Sequence, residues 1–324
     1  MAHYSSTKRP IRFIGATIVL ASAGLIGAAA TPVSAAVPPP TIDYQFDNNL
    51  TDSAGGSTAT QSPTCTSGQL DNPCIISTNY GSDNGDSYWQ WTTSSEDGGG
   101  LRIVTNAPVT DTYTVILKFS FSDIGPSAGY RKIIDYKDTG TDNGFYTYEN
   151  YIYFYNLGDG SDVFGRYFSA NEVIDLIIVR DGTTDNFKVY LRSAGGGIGD
   201  PVIDIDDSVD NESVFSNSGS GSVIGLFFDD EDTDGEGGPG GKAYQFTTWS
   251  GTALTVDQLN EALGIETEQP EYDFDDYELP QPAVASESLP NTGSQGTEAL
   301  AVFAILLIVT GVMVSVRSRR VTRS

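Results

Sequence analysis

Between Asp229 and Glu236 the chain reads D-D-E-D-T-D-G-E, six carboxylates in eight positions. Asp230, Asp232 and Asp234 stand at alternate positions, Gly235 follows, and Glu236 comes next. Oxygen ligands at every second residue, with a glycine to turn the backbone, let a loop wrap a hard cation. The spacing predicts a Ca²⁺ site on Asp230, Asp232, Asp234 and Glu236; the competing reading is a solvated acidic loop. A helix-loop-helix calcium loop is excluded, because its twelfth position would be Gly241 and supplies no bidentate carboxylate. Asp138 with Asp142 and Asn143, and Asp204 with Asp206 and Asp207, are weaker sets of the same kind.

A different chemistry is offered by G-F-Y-T-Y-E-N-Y-I-Y-F-Y-N, residues 144–156. If Glu149-Asn150 is a two-residue turn, Tyr148 pairs with Tyr151 and Tyr146 with Tyr153. Tyr146, Tyr148, Tyr151, Tyr153 and Tyr155 then share one face, and Phe145, Thr147, Ile152 and Phe154 share the other. The apolar face is predicted to pack between sheets and the tyrosine face to point outward. Tyrosine rings stack on sugar rings and their hydroxyls hydrogen-bond, so these five are the candidate ligand-binding set. Tyrosine also simply suits strands. Trp89 and Trp91 alternate onto one face, which either core packing or binding would explain.

Several chemistries are absent. The single His is His3, inside a segment predicted to be removed, so Ser-His-Asp and Cys-His catalysis and imidazole metal sites are excluded. Cys65 and Cys74 are the only cysteines. In an exported chain they are expected to form one disulfide, stabilising by roughly 2.5–3 kcal/mol on the chain-entropy account. The expectation is a protein that is not an enzyme.

These groups must be positioned by strands. Tyr113, Val115, Leu117, Phe119 and Phe121 alternate with Thr114, Ile116, Lys118, Ser120 and Ser122, the mark of a strand with one buried face. Similar runs are Ile42–Phe46, Leu101–Thr105, Lys132–Tyr136, Val173–Arg180, Phe187–Arg192, Val223–Asp229 and Ala243–Trp249, separated by Gly, Asn, Asp and Ser clusters. Many strands without interleaved helices predict an all-β, antiparallel sandwich or barrel over residues 41–264. One helix is signed, over Val256–Leu263: Thr255 and Gln258 make a capping box and Gly264 a stop. Residues 265–288 are rich in acids and proline and read as an extended stalk.

The two ends have their own signatures. Lys8, Arg9 and Arg12 precede an apolar stretch, Phe13–Ala30, and Val33-Ser34-Ala35-Ala36 follows, so residues 1–35 read as a signal peptide. Ala299–Val316 is an apolar run long enough to cross a bilayer as a helix. Arg317, Arg319, Arg320 and Arg323 hold the tail 317–324 in the cytoplasm. Directly before the run stands Leu289-Pro290-Asn291-Thr292-Gly293. Pro290 gives an extended segment that a groove can grip.

This three-part end resembles the L-P-x-T-G sorting signal of Gram-positive surface proteins. The resemblance implies that sortase cuts between Thr292 and Gly293 and joins the Thr292 carboxyl to peptidoglycan, so that the span is only a transient hold. Residues 36–292 then form the mature chain, 257 residues with 10 Lys plus Arg against 42 Asp plus Glu, a net charge of −32. So acidic a chain excludes nucleic acid as a partner.

The blocks I-D-Y-Q-F-D-N-N-L-T-D-S-A-G, Y-T-V-I-L-K-F-S-F-S-D, R-K-I-I-D-Y-K-D-T-G-T-D-N-G-F-Y-T-Y, V-I-G-L-F-F-D-D and G-T-A-L-T-V-D-Q-L-N-E-A-L resemble, in that order, laminin-G-like and concanavalin-A-like jelly-roll domains. The resemblance implies a two-sheet sandwich that binds carbohydrate or protein, often with Ca²⁺ at its rim. Glucanases of this shape carry two or three acids on one strand face. Here the nearest set, Glu172 and Asp175, points to opposite faces. The expected function is a wall-anchored surface protein whose jelly roll binds an extracellular ligand, carbohydrate foremost. The alternatives are a structural or adhesion module without a small ligand and, third, a carboxylate glycosidase.

Overall fold

The computed structural model describes residues 35–62, 74–93, 99–123, 130–148, 151–157, 161–167, 169–209, 211–227 and 240–266. The alternating runs become strands in chain order: β1 (Ile42–Tyr44), β2 (Ser57–Gln61), β3 (Ser77–Asp83), β4 (Asp86–Thr92), β5 (Leu101–Thr105), β6 (Tyr113–Phe121), β7 (Arg131–Asp135) and β8 (Gly144–Tyr148). They continue with β9 (Tyr151–Leu157), β10 (Ser161–Tyr167), β11 (Ile174–Asp181), β12 (Asn186–Ser193), β13 (Ile203–Asp206), β14 (Asn217–Ser218), β15 (Gly221–Leu226) and β16 (Gly241–Ser250).

Two antiparallel sheets result. The first runs β13-β12-β11-β6-β16-β4-β3, with β1 also on β16; the second runs β10-β9-β8-β7-β15-β5-β2, with β14 also on β15. Hairpins of consecutive strands form outer parts of the sheets, while central neighbours are distant in sequence, as in β6 beside β11 and β16. The fold is a jelly-roll sandwich. Leu117, Phe119 and Phe121 from the first sheet and Ile134, Phe145, Phe154 and Ile224 from the second meet in one buried core. Trp89 and Trp91 belong to it, stacked 5.1 Å apart, which decides their face for packing.

Two strand ends differ from expectation for one reason. Phe46 and Phe227 have φ of +50° and +62°, a left-handed backbone that stops an extended chain. Strand β1 therefore ends at Tyr44 and β15 at Leu226.

The helix α1 (Val256–Ala262) forms as its caps require. Thr255 accepts from the Gln258 backbone N–H and the Gln258 side chain accepts from the Thr255 N–H. At the other end Gly264 has φ +62°, its N–H bonds the Glu261 carbonyl, and the Ile265 N–H bonds the Asn260 carbonyl. That is the paired closure of a Schellman motif. Leu259 packs with Leu254, Trp249, Ile116 and Ile177 on the outer side of the first sheet.

The domain also begins earlier than Thr41. Val37 packs against this second cluster, and the Trp249 Nε1–H donates to the Pro38 carbonyl at 2.8 Å.

One open end of the sandwich is closed by a buried cation. Arg180, at the end of β11, is fully buried. Its Nε donates to Ser213 Oγ at 3.0 Å and faces Asp207 at 3.3 Å, and one terminal nitrogen donates to the Asp111 carbonyl at 2.8 Å. The other terminal nitrogen donates to Asn211 Oδ1 at 2.8 Å and Asp185 at 3.2 Å. The Tyr113 hydroxyl donates to the Ser213 carbonyl beside it and reaches the Tyr136 hydroxyl across the sheets. Burial pushes both phenols upward in pKa.

Candidate functional site

The predicted tyrosine hairpin is present in its predicted register. Strands β8 and β9 pair Tyr148 with Tyr151, Tyr146 with Tyr153, and Phe145 with Phe154. The turn residues Glu149 and Asn150 lie outside the described residues. Phe145, Thr147, Ile152 and Phe154 are buried, and the three apolar ones join the core. The five tyrosines occupy the outer face of the second sheet, because side chains alternate strictly along each strand.

The five are not equally available. Tyr146 and Tyr153 are each only 1% exposed, which corrects the expectation that the whole set faces solvent. Two residues of the neighbouring segment explain this. Tyr130 stacks on Tyr148 with centroids 4.4 Å apart and lies 5.4 Å from the Tyr153 ring and 5.9 Å from the Tyr146 ring. Lys132, on β7 directly opposite Tyr146, is fully buried; its ammonium donates to the Tyr146 hydroxyl and sits 4.4 Å from that ring's centre.

A charge so enclosed needs an anion. Asp135, equally buried, stands 3.5 Å from the Lys132 ammonium. The register shift between Lys132 and Ile134 sets that spacing: it keeps Ile133 and Ile134 both in the core and returns Asp135 to the lysine's face.

What remains at the surface is a terrace. Tyr151 and Tyr155 are each 41% exposed, and Tyr148 and Tyr130 are partly so. Tyr151 and Tyr155 are four residues apart on β9, a separation of about 13 Å along the strand. Tyr146, Tyr153, Lys132 and Asp135 form a buried floor beneath the terrace, with the Tyr153 and Tyr155 rings 6.3 Å apart. The sequence reading missed Tyr130 and Lys132. The parity of β7 held the signal, since once β7 pairs with β8, Lys132 must share the tyrosine face.

Asp230, Asp232, Asp234 and Glu236 lie outside the described residues, as do Cys65 and Leu289, Pro290, Asn291, Thr292 and Gly293. The acidic segment begins two positions after Phe227. Cys74 is buried at 4% exposure. Among the described residues no group of three His, Cys, Asp or Glu side chains could hold a metal ion. Members of the two weaker acidic sets are engaged within the protein. Asp138 is ion-paired with Arg102, and Asn143 donates to Glu212. Asp204 pairs with Lys188 and accepts from Asn186, Asp206 accepts from the Ser208 N–H, and Asp207 turns inward to Arg180. Among the described residues no helix is long and apolar enough to cross a membrane; the predicted span 299–316 is outside them.

Comparison with known proteins yields one family match. The family described as the LPXTG cell wall anchor motif matches residues 281–322. No curated protein matches the chain. Solved structures of similar shape include botulinum neurotoxin type C, described as depending on two ganglioside molecules, with 12% identity and a TM-score of 0.48. The match covers 70% of this chain and 51% of that one. The binding domain of botulinum neurotoxin DC in complex with rat synaptotagmin II has 13% identity and a TM-score of 0.46, covering 70% of this chain and 52% of that one. The chain thus spans about half the length of the solved chains it matches. The anchor match, following an exported β-sandwich, identifies the protein as a sortase-processed surface protein attached covalently to the Gram-positive cell wall.

Proposed function

We propose that the sandwich is a non-catalytic binding module that presents the tyrosine terrace to extracellular carbohydrate. The observation that carries this reading is the pair of half-exposed rings, Tyr151 and Tyr155, held on a floor of buried tyrosines and a buried Lys132–Asp135 pair. Preset aromatic faces lose little entropy on binding, and their separation suits an extended oligosaccharide spanning several rings. The test is a glycan array probed with the mature protein released from the wall. Wild type should mark a defined set of oligosaccharides, and Tyr151→Ala or Tyr155→Ala should each weaken that binding about tenfold, a loss of about 1.4 kcal/mol. Unchanged binding in both variants would move the ligand elsewhere.

Ca²⁺ belongs to the same proposal. The six clustered carboxylates that follow Phe228 repel one another, and a divalent ion relieves this. An ion that binds only the folded state stabilises it by about 2.7 kcal/mol at a hundredfold excess over Kd. With a shift of roughly 2–4 °C per kcal/mol for a domain of this size, Ca²⁺ should raise the melting temperature by about 5–10 °C. The Asp232→Ala, Asp234→Ala double variant should lose the shift; equal shifts would show mere screening of net charge. A Cys65–Cys74 disulfide completes the proposal, and peptide mass spectrometry of the exported protein should recover the linked pair.

A further inference from the structure

We infer that the outer face of the first sheet, on the side opposite the tyrosine terrace, carries a second binding site, a groove for a single neutral sugar ring. It is lined by Gln45, Asp47, Ser87, Lys118, Tyr244 and Gln245 and has a volume of about 270 Å³. That is slightly below the usual range for drug-sized ligands, which suits one ring.

Two departures from regular backbone geometry build it. The first is in β16, where Ala243 pairs with Phe119 and Gln245 with Lys118, leaving Tyr244 as an extra residue. Ala243 and Phe246 stay in the core. The bulge therefore sends two consecutive side chains, Tyr244 and Gln245, to the same outer face, a re-aiming typical of bulges at functional sites. The second is Phe46, whose left-handed backbone turns the chain at the end of β1. Its ring is anchored in the core, while Gln45 and Asp47 on either side of it stand exposed as one wall of the groove.

The electrostatics select the ligand class. Lys118 is ion-paired with Asp86 and lies 5.7 Å from the centre of the Tyr244 ring. Lys242 is ion-paired with Asp83, which also accepts from the Tyr244 hydroxyl at 3.0 Å. Asp47 accepts from Ser87 Oγ at 3.3 Å. Lys118 and Asp86 are thus matched by each other, while Asp47 is held by a hydroxyl and an amide. An anion seeking Lys118 would have to displace Asp86, and a cation seeking Asp86 would have to displace Lys118. A neutral, hydroxyl-rich ligand needs to displace neither. It finds two glutamine amides, each holding itself by one N–H, Gln45 to Asp43 and Gln245 to Thr247, and keeping a second N–H and a carbonyl oxygen for a ligand, beside acceptors already oriented by Ser87 and Lys118.

The experiment is saturation-transfer NMR on the mature protein released from the wall, with D-glucose, D-galactose and N-acetyl-D-glucosamine as separate probes at millimolar concentration. Wild type should transfer saturation to at least one of them. Gln45→Ala with Gln245→Ala should weaken that signal tenfold or more, and Tyr151→Ala with Tyr155→Ala should leave it unchanged. Gln245→Glu, nearly isosteric at a partly exposed position, is the second variant, and each variant's melting curve checks that it is folded. Silence from all three neutral sugars overturns the proposal. So does a signal that survives the glutamine substitutions, or one obtained only with glucuronate or glucosamine as charged probes. Loss of the signal in the tyrosine variant alone would assign the sugar to the terrace and sink the groove.

Discussion

Replacing Thr292 with alanine should empty the cell-wall fraction of this protein. The anchor motif covers residues 281–322, and the resemblance to L-P-x-T-G signals implies that the bond cut is the one between Thr292 and Gly293, with the threonine carboxyl as the new link to peptidoglycan. The chain divides between Thr267 and Glu268, and the motif lies in the second of the two units. The variant should therefore fold and be exported normally, yet remain with the membrane through its uncut apolar segment, Ala299–Val316. The protein released by muralytic digestion should fall by an order of magnitude or more, with a matching rise in the membrane fraction. Asn291→Ala, at the variable position of the motif, should anchor as wild type does. Undiminished muralytic release of the Thr292 variant would refute the assignment of the cleaved bond.

Arg180→Ala should cause the largest loss of stability from any single substitution outside the apolar core. The side chain closes the sandwich end through Asp207, Ser213, Asn211, Asp185 and the Asp111 carbonyl, and both Arg180 and Asp207 are buried. Removing one partner of a buried pair leaves the other charge uncompensated, at a cost of about 3–5 kcal/mol. At roughly 2–4 °C per kcal/mol, the melting temperature should drop by about 6–20 °C. Arg180→Lys should recover only part of this, since an ammonium cannot reproduce a planar fork of five donors. Adding Asp207→Asn to Arg180→Ala should restore stability relative to the single variant, because it removes the stranded charge. A melting point within a degree or two of wild type would show that water enters the network and that Arg180 is not the closure.

The sequence by itself determined the local elements and the chain's destination. Alternation in 113–121 dictated a strand, because the side-chain period of an extended chain is two, but not that one face only is buried: Thr114, Ile116 and Ser120 are buried as well, Ile116 in the cluster with Leu259 of the helix. The capping box at Thr255 and the left-handed stop at Gly264 dictated the helix, since both act within a few residues of the chain. The hairpin register of Tyr146 and Tyr148 followed from a two-residue turn. The anchor was legible because sortase recognises a short linear peptide that carries its meaning without a fold.

Only the tertiary structure decided which members of a face are free. Tyr146 and Tyr153 satisfy the same alternation as Tyr151 and Tyr155, yet Lys132 of β7 and Tyr130 just before it bury them. Arg180 reads as an ordinary polar strand end until Asp207, Asn211 and Ser213, about thirty positions away, meet it. The groove at Tyr244 needs a bulge in β16, the turn after β1 and the β3–β4 hairpin to meet, three segments separated by up to about two hundred residues. No local rule reports such a meeting, because burial depends on which strands become neighbours, and in this sandwich the neighbours at the centre of each sheet are distant in sequence.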